Sequence, residues 1–359
     1  VPACAGTGVF NFIVMRTKYF IYILAILAIA SACCDTDDPI IDVSCLEQAS
    51  FPSESVDDTT YNCCPDCLVD PEEIYSSAIP FDYSAPCFDP SNSNRIAYYR
   101  FDNTKFDVAS EIWVFDLCSG EKRKIVGNAL YGIDWSVKDW IIYTADDQQI
   151  YMIKSNGDSL TKITSLGDYN RYPKWDKNGD KILFQRQGGG LSELILFDLK
   201  ESNPDTITEL QSIGAWDWVG ENQISYVTAT WDANTGITTQ YLNKFDLTTR
   251  QSTLLHTLDI VGSNSNILLS TDYSESDNSI IWGAYGVIGK TDASTGAFKV
   301  IKDAYRQESF YDAVVSKDEK YILFDIRSRK LVDPCRYDSD YGLYIMDLNG
   351  KNQRRIKIE

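Results

Sequence analysis

The stretch RYPKWDKNGDKILFQ, Arg171 to Gln185, decides the fold. Arg171 to Trp175 reads as a short strand, and Asn178-Gly179 is the dipeptide best suited to a tight hairpin turn, whose central residues need positive φ. Lys181 to Gln185 is the return strand, and period-2 alternation sets Ile182 and Phe184 on one face. A Gly-rich loop follows at Gly188 to Gly190, then a third strand at Glu193 to Leu199. After a turn at Asn203-Pro204, a short outer strand covers Thr206 to Thr208. One unit is therefore four antiparallel strands.

Outward from this unit, isoleucine, any residue, then a large aromatic recurs six times: Ile96/Tyr98, Ile141/Tyr143, Ile182/Phe184, Ile224/Tyr226, Ile280/Trp282 and Ile322/Phe324. Successive aromatics lie 45, 41, 42, 56 and 42 residues apart. That period suits a four-stranded propeller blade and is too long for ankyrin or tetratricopeptide units. Third strands recur in step, among them Glu111 to Leu117, Leu194 to Leu199 and Leu343 to Leu348, each running into a polar turn. The expected fold is all-β, a six-bladed β-propeller of four-stranded antiparallel blades over residues 83–359. A lone blade leaves both faces of its sheet exposed, whereas blades packed around an axis bury them, so the Ile and aromatic pairs are expected in the core. A solenoid of similar period is the structural rival. The last blade owns four strands, so closure is expected from blade packing, aided by residues 68–82.

The run Tyr172-Pro-Lys-Trp-Asp-Lys-Asn-Gly-Asp-Lys-Ile-Leu-Phe184 resembles the repeat of TolB-like six-bladed propellers, in which Pro precedes Trp-Ser-Pro-Asp-Gly, then Ile and Phe. Leu343 to Gly350 with Gln353 to Ile356 is similar to that family's second signature. Trp135-Ser136, Trp218 and Ser316-Lys-Asp-Glu319 match in part, and blade five departs most, with Asp272 to Asn278 in place of the tight turn. The resemblance implies a fold and leaves activity open, because such propellers serve as scaffolds, ligand binders and domains of peptidases.

Upstream, the chain changes character. Met15-Arg-Thr-Lys18 is basic, Tyr19 to Ala30 is apolar, and Ala30-Ser-Ala-Cys33 places small residues before a cysteine, which resembles a bacterial lipoprotein signal. In that class the cysteine carries lipid, so Cys33 is the expected lipidation site, against a cleaved secretory signal or an anchor helix as the alternatives. Twelve apolar residues are short for a span of about 20. The expected organisation is a start-site artefact at 1–14, a signal peptide at 15–32, an acidic cysteine-containing tether at 33–82, and the propeller. The membrane is met through the lipid anchor only, on the periplasmic or cell-surface side.

Between Cys34 and Glu73 stand twelve acidic residues and no Lys or Arg, a composition that builds no core. This tether holds much of the formal net charge of −19 and leaves the propeller mildly acidic. Nothing forms a basic stripe able to neutralise phosphates, so nucleic acid is not an expected partner. Asp35 to Asp38 resembles the acidic signals that send lipoproteins of some Bacteroidota to the cell surface. Cys45, Cys63, Cys64 and Cys67 suit disulfides in an oxidising compartment, with zinc at Cys64-Pro-Asp-Cys67 as the alternative. One tether cysteine bonding Cys335 would pin the N-terminal segment across the ring junction.

No catalytic residue is nominated, and the expectation is a non-enzymatic protein. The single histidine, His256, falls in an expected outer strand and reads as a surface or edge-strand residue, because a catalytic base needs partners converging on a cleft, and no Gly-x-Ser-x-Gly elbow is present. Carboxylate pairs leave glycoside chemistry conceivable. No cofactor is expected; calcium is the alternative, through Asp272, Glu275, Asp277 and Asn278 or through Asp333, Asp338 and Asp340.

Binding rests on position. Connections into the inner strands bring Tyr83, Tyr131, Tyr169, Asn170, Arg171, Tyr172, Trp216, Arg306 and Tyr311 to one face of the ring. Loops at Phe101 to Ser110, Thr228 to Thr239 and Arg327 to Gly342 add Trp231, Arg336 and Tyr337. Aromatics with Arg and Asn suit a protein interface or stacking on sugars, and some would pack between blades instead. A monomeric scaffold for an envelope protein partner is the first expectation, and a carbohydrate-binding or carbohydrate-active propeller of a polysaccharide-utilisation system the second.

Overall fold

The computed structural model describes residues 81–359 apart from 103–109, 166–167, 190, 212–213, 233–236, 262–269, 285–286, 304–307, 334–335 and 359. No helix occurs among the described residues; every element is a strand. Blade one comprises β1 (Phe81–Asp89), β2 (Asn92–Asp102), β3 (Ser110–Asp116) and the first part of β4 (Lys122–Trp135). The end of β4 begins blade two and continues into β5 (Trp140–Ala145), β6 (Ile150–Lys154) and β7 (Thr161–Lys162). Lys122 to Val126 pairs with β3, while Ala129 to Trp135 pairs with β5, so one strand serves two blades. These seven strands form one continuous sheet.

The other blades are separate four-stranded antiparallel sheets. Blade three contains β8 (Tyr169–Trp175), β9 (Lys181–Gly188), β10 (Leu191–Asp198) and β11 (Asn203–Gln211). Blade four contains β12 (Trp216–Val219), β13 (Gln223–Asp232), β14 (Ile237–Asp246) and β15 (Gln251–Val261). Blade five contains β16 (Ser270–Ser274), β17 (Ser279–Ala284), β18 (Val287–Asp292) and β19 (Phe298–Asp303). Blade six contains β20 (Glu308–Val315), β21 (Tyr321–Asp333), β22 (Arg336–Asp347) and β23 (Arg354–Arg355).

Cross-strand register explains the repeat. Each isoleucine of the six pairs sits directly opposite a large apolar residue of its inner strand: Phe88↔Ile96, Trp135↔Ile141, Trp175↔Ile182, Trp218↔Ile224, Tyr273↔Ile280 and Val315↔Ile322. All six isoleucines and their partner aromatics are buried. Facing apolar pairs of this kind are the unit of sheet stabilisation.

Six apolar clusters result, one at each boundary between successive blades. The cluster that closes the ring joins Phe88 and Tyr98 of blade one to Val314, Leu323, Leu343 and Ile345 of blade six. Lys122 Nζ donates to the Ile358 carbonyl across the same junction at 2.9 Å. Closure by blade packing is therefore what the structure has, and the solenoid alternative falls away. Residues 68–80 lie outside the described residues.

Two stretches read as loops are strand instead. Thr228 to Asp232 pairs with Ile237 to Tyr241, and Arg327 to Asp333 pairs with Arg336 to Tyr341. Their threonines, isoleucine and tyrosines favour extended backbone, which the absence of a repeat match concealed. Both hairpins extend the second and third strands of their blades beyond the ring's common length.

Candidate functional site

Antiparallel order gives the ring two distinct faces. One carries the connections into the inner strands and the tips of the long hairpins; the other carries the tight turns between first and second strands. Candidate groups occupy both.

On the first face, β8 opens with Tyr169, which is 51 % exposed, and Tyr172 is 40 % exposed. The Arg171 guanidinium lies 5.0 Å from the Tyr169 ring centre, and its Nε donates to Gln148 Oε1 at 2.8 Å. Tyr172 meets Trp216 edge-on, with ring centres 6.0 Å apart. A β-bulge between Arg171 and Lys174 gives Tyr172 a φ of 55° and turns its side chain out of the strand's alternation. The bulge brings two backbones close: a Cβ on Gly132 would lie 2.4 Å from the Tyr172 Cα, so this position of β4 requires glycine.

Other expected residues of this face divide. Asn170 is buried, donating through Nδ2 to Gln149 Oε1 at 3.0 Å and to the Asp168 carbonyl at 3.1 Å. Tyr83 packs edge-on against Tyr98 inside the closing cluster, with 5.7 Å between ring centres. Trp216 is buried between blades three and four, so the two act as core. Tyr311 is half-buried on β20. Tyr131, Trp231, Arg336 and Tyr337 are placed as backbone on β4, β13 and β22, and their side chains lie outside the described residues, as do Arg306 and the whole of Cys33. Among the described residues, Tyr169, Arg171 and Tyr172 are the expected ones that lie side by side at the surface.

Opposite, the channel opens between the tight turns into a cavity of about 210 Å³. Its wall includes one residue from each inner strand, always the one preceding the apolar residue that faces isoleucine: Cys87, Asp134, Lys174, Asp217, Asp272 and Val314. Four adjacent blades thus supply charge, and blades one and six supply a buried free thiol and an aliphatic group. Lys174 Nζ pairs with Asp217 Oδ2 at 3.1 Å. Asp134 Oδ2 accepts the Trp175 N–H at 2.6 Å, and Asp272 Oδ2 accepts the Val315 N–H at 2.6 Å, so each of these carboxylates staples its blade to the next.

Burial dominates the electrostatics of this ring. It raises Asp272 from the ordinary carboxylate value to about 7, with the neighbouring Asp217 charge adding and Lys174 opposing. Burial likewise raises Asp134 to about 6 against the pull of Lys174. Asp217 is also raised by burial, although Lys174 beside it lowers it. Burial acts to lower Lys174, but the charges of Asp217, Asp134 and Asp272 outweigh it and hold the ammonium protonated.

The sequence reading missed this ring because its six positions share no residue type. The signal present was positional: the residue before Trp135, Trp175, Trp218 and Tyr273 is charged each time.

The expected oxygen-rich loop disperses. Asp277 pairs with Lys290, Asn278 meets Tyr273 Oη and Ser294, and Asp272 faces the channel. Among the described residues no group of three or more His, Cys, Asp or Glu side chains is placed to hold a metal ion. Asp338 and Asp340 are strand backbone on β22 with side chains outside the described residues. His256 stacks on Phe298 at 4.5 Å, and Phe298 stacks on Trp282 at 5.4 Å, which places the histidine at the outer edge between blades four and five. Burial lowers its pKa.

No protein-family model matches the sequence, and no curated protein matches it. Solved structures are similar in fold. A putative TolB from Agrobacterium tumefaciens superposes with a TM-score of 0.54 at 15 % identity, over 69 % of this chain and 88 % of that one. An oligogalacturonate lyase from Vibrio parahaemolyticus gives 0.51 at 10 % identity, over 77 % of this chain and 78 % of that one. Both establish the propeller architecture, and they differ from each other in what they are named for.

Proposed function

We propose that this propeller is a lipid-anchored extracytoplasmic scaffold that binds a protein of the cell envelope through the edge formed by Tyr169, Arg171 and Tyr172. The observation that carries the reading is a pair of half-exposed tyrosines flanking an arginine on rigid β-structure. Tyr and Arg are enriched at interface hot spots because they bury a large apolar surface while keeping a polar group for hydrogen bonding. Pairing of β8 with β9, and the Asn170 N–H donating to the Gln148 carbonyl at 2.9 Å, keep this edge preorganised. The resemblance of residues 15–32, followed by Cys33, to a lipoprotein signal supports the envelope location, as does Cys118, which is disulfide-bonded.

Pull-down from envelope extract tests it, comparing the wild-type protein with the double variant Tyr169→Ser, Tyr172→Asn. Asn tolerates the positive φ at position 172. One partner enriched by the wild type and lost by at least tenfold in the variant, at unchanged melting temperature, is the expected result. Equal recovery by the two proteins removes this edge as the interface. A glycan array run on the same pair distinguishes sugar binding, and saturable binding to a polysaccharide there would replace the protein partner.

A further inference from the structure

Cys118, in the turn between β3 and β4, is disulfide-bonded, and its place in the fold limits which cysteine it can meet. That turn lies on the tight-turn face, where the Leu117 N–H donates to the Asn94 carbonyl at 2.7 Å, close to the turn joining β1 to β2. Cys87 is a free thiol. Cys335 stands between Asp333 and Arg336, which pair at the tip of the β21–β22 hairpin on the other face. Asp333 is eleven positions beyond Ile322 on β21, roughly 36 Å of strand at about 3.3 Å per residue. Bonded cysteines hold their Cα atoms within about 7 Å, so Cys335 is out of reach. The remaining cysteines all precede Phe81, and Cys63, Cys64 and Cys67 are the nearest to it in the chain. Phe81 pairs with Asp102 at the first-face end of β1, so the preceding chain must return along a blade to meet Cys118. Fourteen positions separate Cys67 from Phe81, a reach of up to about 46 Å, which exceeds the roughly 30 Å length of a nine-residue strand.

The turn that holds Cys118 leads directly into a basic edge. Lys122, Arg123 and Lys124 open β4 and are exposed, and this part of β4 pairs with β3 on one side and, among the described residues, with no strand on the other. Across the ring junction blade six brings Lys351, Arg354, Arg355 and Lys357. Ile356 and Ile358 share an apolar cluster with Phe115 and Leu117, and Lys122 Nζ donates to the Ile358 carbonyl, so the two basic segments lie side by side. The carboxylates of these segments and of the strands and turns beside them are Glu111, Asp116, Glu121, Asp347 and Glu359, two fewer than the seven cations. Arg123, Lys351 and Lys357 form no ion pair among the described residues. In a chain of net charge −19 this excess is a local exception, and it attracts anions. The segment from Cys45 to Glu73 carries eight carboxylates and no Lys or Arg.

We propose that the chain preceding the propeller bonds Cys118 through Cys63, Cys64 or Cys67 and lays its acidic stretch Asp66 to Glu73 on the basic outer edges of blades one and six. Forming the bond takes two electrons and two protons from a pair of thiols, which a disulfide-exchange oxidant of an oxidising compartment accepts. The bond then brings Asp70, Glu72 and Glu73 within a few residues of Lys122 to Lys124, and the acidic stretch straps the junction where the ring closes. The chain upstream of the bond leaves from the tight-turn face, at the other end of the ring from the Tyr169 edge. The inference does not depend on the partner-binding reading of that edge.

Two measurements on the full chain test the proposal. Peptic peptide mapping without reduction is expected to find Cys118 linked to a peptide that contains Cys63, Cys64 or Cys67. Zero-length carbodiimide cross-linking is expected to join carboxylates of Asp66 to Glu73 to the amines of Lys122 or Lys124. Those cross-links are expected to fall at least fivefold in the double variant Arg123→Glu, Lys357→Glu, which keeps both amines, at unchanged melting temperature. If that variant misfolds, Arg123→Gln with Lys357→Gln takes its place under the same criterion. A bond from Cys118 to any other cysteine, or to a second copy of the chain, overturns the strap. Absence of the cross-links, or equal yields in a folded variant, overturns the docking on the basic edge. Salt-sensitive binding to vesicles of anionic phospholipid by the wild type and not by the variant, without the cross-links, assigns the edge to a membrane surface and overturns the proposal.

Discussion

Gly289 shows how one residue adapts a repeat to a large side chain. It lies directly across from Trp282 on β17, and a Cβ there would come within 2.0 Å of the indole. Trp282 is fully buried, stacked on Phe298, with Nε1 donating to Thr291 Oγ1 at 3.1 Å, so it has no room to withdraw. Gly289→Ala is expected to destabilise the protein by about 1–3 kcal/mol through overpacking, measured by urea unfolding. An unchanged midpoint would show that the indole moves freely. The aromatic at 282 was legible from its spacing, but the glycine opposite was not, because cross-strand neighbours on separate strands carry no common sequence mark.

At the scale of the element, the inner strands carry the device that a linear reading lacks. Blades one, two, three and six each bulge at the residue two places before the channel position, where Ala85, Gly132, Tyr172 and Asp312 have positive φ. Such bulges bend a strand and re-aim its side chains. They place the charged residues of blades two and three in the channel and Tyr172 at the opposite rim. The channel carboxylates also set a pH dependence. Asp272 and Asp134 hold protons up to about pH 7 and 6 when folded, but release them near 4 when unfolded. The folded chain therefore binds more protons across that window, and stability falls as pH rises through it. Melting temperatures between pH 5 and 8 are expected to decline by the equivalent of about 1–2 kcal/mol, discounted for water in the channel, and Asp272→Asn is expected to flatten the decline. A flat wild-type profile would refute the assignment.

For the whole molecule, six clusters at six boundaries make closure a packing property, with the junction between blades one and six no weaker in character than the others. Cys118, in the turn between β3 and β4, adds a covalent constraint, and its disulfide partner lies outside the described residues because Cys87 is a free thiol. Reduction with dithiothreitol is expected to lower stability by about 2–4 kcal/mol, read as a lower melting temperature. Melting unaffected by reductant would show that the bond spans nothing structural. The expected bridge from the tether to Cys335 lies outside the described residues.

The sequence by itself determined the architecture, since the Ile and aromatic pairs recur at one period and hydrophobic alternation is local, strand by strand. It also determined the candidate edge at Tyr169, Arg171 and Tyr172, because turn position and residue type are adjacent in the chain. Only the tertiary structure decided that Tyr83, Asn170 and Trp216 are interior, and that Lys174 stands among Asp134, Asp217 and Asp272. Burial and charge pairing depend on which blades are neighbours, and these four residues, 40 to 55 positions apart in succession, meet only when the ring is formed.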